Sequence, residues 1–206
     1  MPLYYTKEIS PTTKLAIWKI EESESFFLSY VPLSNEISHP HKRLQHLAGR
    51  YLLQYLFPDF PIHAIQIAST RKPYLEDELY HFSISHCGDY AAAIVSSTDR
   101  IGIDIELQRP TVARIAHKFL HTEEMNEILL NDITSLTIHW STKEAIFKWW
   151  GWGDVDFSEM IRIDKFTLAA KGTIDARFLE HNSVFPLNPQ YKLFGNLCLV
   201  WVSGDK

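Results

Sequence analysis

Cysteine is scarce in this chain of 206 residues: Cys87 and Cys198 are its two, too few and too far apart for a disulfide framework or a zinc site. A reducing compartment is the expectation. Positive charge is short as well, with 20 Lys and Arg against 25 Asp and Glu. The resulting net charge of −5 argues against bulk electrostatic binding to nucleic acid, so an anionic ligand has to be met by a local group of cations. No apolar run approaches the roughly 18 to 20 residues that span a bilayer. Met1 to Ser10 lacks the basic-then-apolar pattern of a secretion signal. A cytoplasmic protein with no membrane contact is therefore expected. Low-complexity linkers and a clear internal repeat are missing too.

What is present is an ordinary globular composition, 46% hydrophobic, enough for one domain or two small lobes. Residues 14–20 read as a strand. From His41 to Phe57, Leu44, Leu47, Ala48, Tyr51, Leu52, Tyr55 and Leu56 fall on one helical stripe that Pro58 ends. The other side of that helix carries Arg43, His46 and Arg50, either a wet face or the wall of an anion site. Strand-like runs follow at Ile62 to Ala68, Leu79 to Ser85 and Tyr90 to Ser96, with a turn at His86 to Asp89 that places His86 at a hairpin tip. Thr122 is the expected N-cap of a short helix reaching about Leu130, and Asp132 that of a longer one stopping near Gly151. Strands are expected at Ile161 to Leu168, Gly172 to Phe178, Tyr191 to Phe194 and Leu197 to Ser203, with a loop at Pro186, Asn188 and Pro189. Sequential strands of this kind favour an α+β fold over βαβ units.

Two stretches carry chemistry. In Ile101-Gly102-Ile103-Asp104-Ile105-Glu106-Leu107 the aliphatic side chains alternate with Gly102, Asp104 and Glu106, so a strand presents both carboxylates on one face. In Trp140-Ser141-Thr142-Lys143-Glu144-Ala145-Ile146-Phe147-Lys148, four-residue spacing lines Trp140, Glu144 and Lys148 along one side of a helix. Read singly, the first is a solvated strand face and the second a surface ion pair. Read together, three carboxylates with no ligand His or Cys nearby make an oxygen-only site that suits magnesium or manganese.

These stretches resemble the two signatures of the phosphopantetheinyl transferase superfamily, Gly-x-Asp-x-Glu and Trp-x-x-Lys-Glu-(Ala/Ser)-x-x-Lys, both complete here. Upstream, Lys72-Pro73 and Phe82-Ser83-Ile84-Ser85-His86 resemble elements of the two-lobed subgroup typified by the surfactin synthetase-activating enzyme. Arg71 stands where that subgroup often has glycine, and Cys87 where serine is common.

The resemblance implies two similar α+β lobes related by a pseudo-twofold, with an active-site cleft between them. Residues 1–100 would form the N-terminal lobe and 101–206 the C-terminal one. It implies transfer of the 4′-phosphopantetheine arm of coenzyme A to a serine of an acidic acyl, peptidyl or aryl carrier protein by a monomer, with release of adenosine 3′,5′-bisphosphate. Asp104, Glu106 and Glu144 would hold magnesium, or manganese, and Glu144 and Lys148 would be catalytic. Lys72, Ser85, His86 and Lys148 would meet coenzyme A, with Arg43 and Arg50 as further candidates. Arg109, Arg114 and Lys118 form a basic segment suited to carrier docking. The alternatives are a divalent-metal nucleotide phosphodiesterase or pyrophosphatase, and a non-catalytic module that binds coenzyme A or a carrier protein.

Overall fold

The computed structural model describes residues 2–32 and 37–204, which fall into two compact units, 1–101 and 102–206. Each is built on a four-stranded sheet and one long helix.

In the first unit, the sheet order is β1-β2-β6-β5, all antiparallel, from β1 (Leu3–Ser10), β2 (Thr13–Lys19), β5 (His81–Cys87) and β6 (Tyr90–Ser96). A short helix α1 (Glu24–Leu28) precedes the long helix α2 (Pro40–Leu56), whose Pro40 opens the first turn, where a missing N–H costs nothing. Leu47, Ala48, Leu52, Leu53 and Leu56 of α2 are buried with Ala16 and Trp18 of β2, Phe82 of β5 and Ala91, Ala93 and Val95 of β6. Gly49 lets the helix close on the sheet, since a Cβ there would stand 2.5 Å from Ile84 Cγ2. A two-stranded pair, β3 (Gln66–Ile67) and β4 (Pro73–Tyr74), completes the unit.

The second unit begins within β7 (Arg100–Leu107) and has the sheet order β7-β13-β12-β9, with β9 (Lys171–Thr173), β12 (Gln190–Phe194) and β13 (Leu197–Gly204). A three-stranded sheet runs β11-β10-β8, from β8 (Ile161–Ile163), β10 (Ala176–Glu180) and β11 (Ser183–Leu187). Helices α3 (Thr111–Ile115), α4 (Thr122–Glu127) and α6 (Phe157–Met160) are short, and α5 (Ile133–Trp150) is long. Asp132 caps α5 by accepting from Ser135 N at 3.0 Å, and Gly151 at φ 79° ends it in the left-handed conformation that glycine adopts freely. Ile138, Ala145, Ile146, Trp149 and Trp150 of α5 share one core with Ile161, Ile163, Phe178, Tyr191, Cys198 and Val200. Among the described residues no helix is long and apolar enough to cross a membrane.

The α+β class is as expected, but several local readings need correction. Ile62 to Ala68 is a 3₁₀ turn at Ile62–Ala64 followed by the two-residue β3, because Pro61 and the short span leave no room for a full strand. His86 lies within β5, paired with Ala91, and the turn is only Gly88-Asp89 with Gly88 at φ 51°. The N-cap of α4 is His121, whose ring accepts from Glu123 N while Glu124 accepts from His121 N. Strand β11 and helices α3 and α6, of four or five residues each, are too short to declare a period in advance. Pro186 sits inside β11 because that strand is an edge, where the missing N–H leaves no ladder bond unmade.

Candidate active site

Between Leu136 and Trp150 every residue of α5 is buried except Trp140, Glu144, Phe147 and Lys148. The one open stripe of the helix is therefore the stripe that carries the aromatic ring, the acid and the base. Strand β7 meets α5 at Gly102, where an added Cβ would lie 1.9 Å from Ala145 O and 2.7 Å from Trp149 N. Only a residue without a side chain permits this approach of strand backbone to helix backbone. It brings the acid-bearing face of β7 against the helix, so Asp104 is 3% exposed rather than solvated.

Lys148 Nζ donates to Asp104 Oδ1 at 2.7 Å. Glu106 is pushed up to about 7, first by burial and then by the Asp104 charge, with Glu144 adding to it and a hydrogen bond from Trp140 and the charge of Lys148 opposing. Glu144 is also raised, chiefly by burial, with Lys148 opposing and Asp104 adding. The three expected acids and Lys148 thus share one electrostatic neighbourhood on β7 and α5. Fully ionised, that set carries a net charge of about −2. An oxygen-only donor set of this charge fits a hard divalent cation such as magnesium or manganese. Among the described residues, however, no three His, Cys, Asp or Glu side chains stand at the spacing of a ready-made metal shell.

The other lysine of the signature, Lys143, is completely buried. Its ammonium donates to Glu124 Oε2 at 2.6 Å, Ile161 O at 2.8 Å and Phe157 O at 3.1 Å, which uses all three of its protons. Burial holds Lys143 below the usual lysine range, with the Glu124 charge opposing. This partner, 19 positions away, had no signal in the four-residue spacing, although Glu124 three residues after His121 fits the acid of a capping box.

The first unit gathers a separate basic cluster. Arg50 Nη1 and His46 Nδ1 are 3.0 Å apart on α2. A guanidinium only donates, so Nδ1 is the acceptor and the imidazole proton is on Nε2, a buried atom with no hydrogen-bond partner among the described residues. Burial first, then the charges of Arg50 and His86, bring His46 down to about 4. Arg50 and His86 therefore meet around His46, while Arg43 is tied to Glu24 Oε2 at 2.7 Å and to Ile37 O. Ser85 is buried and His86 exposed, as expected of neighbours on a strand. Lys72 is half-buried and lowered to about 8 by burial and by Arg100. Arg71 before it has φ 67°, a left-handed conformation that explains why glycine suits this position. Arg109, Arg114 and Lys118 are all exposed, the last two on α3 and the turn after it.

Residues 100–196 match the model of the 4′-phosphopantetheinyl transferase superfamily. The chain is 27% identical over 141 residues to enterobactin synthase component D of Salmonella typhi, covering 66% of this chain and 56% of that protein. Over 113 residues it is 33% identical to enterobactin synthase component D of Escherichia coli (strain K12), covering 52% of this chain and 54% of that one. A 4′-phosphopantetheinyl transferase of Bacillus pumilus, psf-1, is 28% identical over 125 residues, 55% of this chain and 51% of its own length. The chain thus spans about half the length of the curated relatives it matches. The matched segment contains β7 with Asp104 and Glu106, α5 with Glu144 and Lys148, and the Gly102 contact that joins them, so it is in the site-bearing part that the chain is similar to the 4′-phosphopantetheinyl transferase superfamily.

Proposed function

We propose that this protein transfers the 4′-phosphopantetheine arm of coenzyme A to a serine hydroxyl of an apo carrier protein, releasing adenosine 3′,5′-bisphosphate. The observation that carries the reading is the pairing of β7 and α5 at Gly102, which sets Asp104, Glu106, Glu144 and Lys148 in one field inside the family-matched segment.

In this reading Asp104, Glu106 and Glu144 hold a magnesium or manganese ion. Bound there, a divalent cation supplies charge neutralisation for the pyrophosphate of coenzyme A. Lys148 turns its ammonium to the same phosphates. Glu144 takes the proton of the incoming serine hydroxyl. The serine oxygen forms a bond to the phosphorus next to the pantetheine. The bond from that phosphorus to the bridging oxygen breaks, and its electron pair stays on the departing nucleotide phosphate.

At the nucleotide end, Lys72, Ser85, His86 and Arg50 meet coenzyme A. Arg50 is the better of the two arginine candidates, since Arg43 is engaged by Glu24. The net charge of −5 requires a local positive surface to attract an acidic carrier, and Arg109, Arg114 and Lys118 are exposed to provide it.

The deciding experiment incubates the protein with coenzyme A, magnesium and a panel of apo carrier proteins and follows intact mass. A gain equal to one phosphopantetheine, lost in Asp104→Asn and with chelator, supports the reading. Cleavage of coenzyme A without a carrier would instead indicate a hydrolase.

A further inference from the structure

Three residues of α2 spaced four apart, His41, Gln45 and Gly49, lie along one side of the helix, and each meets the hairpin of β5 and β6. Gln45 Nε2 donates to Gly88 O at 2.8 Å. His41 Nε2 stands 3.0 Å from Asp89 Oδ1. Gly49 runs so close to β5 that a Cβ on it would lie 2.5 Å from Ile84 Cγ2. The helix therefore holds the hairpin at two levels, along β5 at Ile84 and at the turn through Gly88 and Asp89. His86 is the residue midway between them.

The two ties at the turn are unequal. The side chains of His41 and Asp89 are 44% and 70% exposed, so water competes for that contact and screens it. Gln45 is 6% exposed, at the head of the stretch where Leu47, Ala48, Leu52 and Leu53 enter the core. A polar side chain taken out of water needs a partner, and the Gly88 carbonyl only accepts, so the amide nitrogen of Gln45 must face it. Strand alternation puts Phe82, Ile84 and His86 on one face of β5, and Phe82 and Ile84 pack in the core that α2 covers. The imidazole of His86 is thereby turned to the side on which α2 carries His46 and Arg50.

We infer that Gln45 is a positioning residue for His86. Its bond to Gly88, together with the close approach at Gly49, fixes β5 on both sides of His86 and sets how far the imidazole stands from Arg50. Without that bond the turn keeps the exposed His41 contact and the bond from Ile20 N to Asp89 O at 2.7 Å, which ties it to the end of β2 and not to the helix. The role rests on the reading of His86 and Arg50 as contacts of the nucleotide end of coenzyme A, and its test separates the two.

The probe is adenosine 3′,5′-bisphosphate, titrated calorimetrically into the full chain without carrier or metal. Gln45→Met keeps the length and bulk of the side chain and removes the donor. It should weaken nucleotide binding about 2- to 10-fold, the range set by the net worth of one hydrogen bond. Leu56→Ala, at the far end of the same helix and roughly 16 Å from Gln45, should lower the urea midpoint at least as much and leave nucleotide affinity unchanged. His86→Ala is the control for the nucleotide reading and should lose more than Gln45→Met. In carrier modification, Gln45→Met should raise KM for coenzyme A with kcat kept. Unaltered affinity in Gln45→Met, alongside loss in His86→Ala, overturns the positioning role and leaves the nucleotide reading standing. Equal losses in Gln45→Met and Leu56→Ala, or a fall in kcat with KM kept, reduce Gln45 to a stability contact and overturn the role as well. Unaltered affinity in His86→Ala, or no nucleotide binding by the unaltered protein, overturns the nucleotide reading and the inference with it. Should Gln45→Met not fold, the side-chain amide resonances of Gln45 in ¹⁵N-labelled protein decide. They should shift on saturation with the nucleotide and in His86→Ala, and resonances that stay in place in both overturn the proposal.

Discussion

Gly102→Ala adds a single methyl group at a point where β7 and α5 approach through their backbones. On an ordinary strand, replacing glycine by alanine stabilises by about 0.4–1 kcal/mol, because the unfolded chain loses freedom. Here the sign reverses. The new Cβ would stand 1.9 Å from Ala145 O, where a carbon–oxygen contact needs roughly 3.3 Å, so strand and helix must part by about 1.4 Å along that line. Neither neighbour is a side chain that can turn away. Overpacking costs typically about 1–3 kcal/mol, and a clash with the backbone of two elements belongs at the upper end. A loss of about 3 kcal/mol lowers the melting temperature of a chain of this size by roughly 6–12 °C. The same displacement separates Asp104 from Lys148, now 2.7 Å apart, and shifts Glu144 relative to Glu106. A misplacement of about 1 Å in a reacting constellation is worth on the order of 100-fold in rate. Thermal unfolding read by tryptophan fluorescence, and carrier modification read by intact mass at a temperature where the variant is fully folded, measure the two effects separately. A variant that melts within 1–2 °C of the unaltered protein and turns over at about its rate would refute the argument that backbone contact at Gly102 sets the site.

Gly49→Ala serves as the contrasting case. Its Cβ would meet Ile84 Cγ2 at 2.5 Å, the end of a side chain that can rotate, so a smaller destabilisation than at Gly102 should appear in the same melting assay. Removing one member of the buried pair, as in Lys143→Met, should cost about 3–5 kcal/mol, and Glu124→Gln added to it should recover part of that loss in urea unfolding, because the stranded carboxylate goes too. His46 has its folded value near 4 against an ordinary 6.5, so the unfolded chain takes up its proton first on acidification. Its contribution to stability is present above pH 6.5 and lost as pH falls toward 4, and His46→Phe should flatten that part of the pH dependence of the urea midpoint. Lys72, with a folded value near 8, loses its charge as pH rises through that point. The apparent affinity for coenzyme A should therefore weaken above pH 8 in the unaltered protein and hold in Lys72→Arg, as isothermal titration can test.

The strand and helix that carry the site were legible because each declares its period over enough residues. Ile101, Ile103 and Ile105 alternate with the acids, and Trp140, Glu144 and Lys148 recur every four positions between an Asp132 cap and a Gly151 stop. The buried state of Asp104 was not legible, since alternation tells which residues share a face but not which element covers it. Lys143 illustrates the same limit: it lies off the stripe, and its destination depends on a carboxylate brought by α4 and carbonyls brought by α6, contacts made only in three dimensions. Strand β1 carries little sequence signal because it is an edge, half-buried along one side, where apolar content stays modest. Pro186 reads as a loop marker because sequence does not reveal that β11 has a neighbour on one side alone.

The near-complete enclosure of α5 also bears on how the second unit comes apart. A helix packed on every side but one narrow stripe has no low-energy way to fray in its middle, so its central amides should exchange with solvent only when the whole unit opens. Glu144 and Lys148 ride on that segment, and Asp104 is pinned to it through Lys148. The groups proposed to act on coenzyme A are thus mounted on the slowest-exchanging part of the unit, while the exposed Arg109, Arg114 and Lys118 sit on or beside helical turns of three to five residues, which open at lower cost than α5. On warming, the surface that would greet a partner softens before the groups that would act on it.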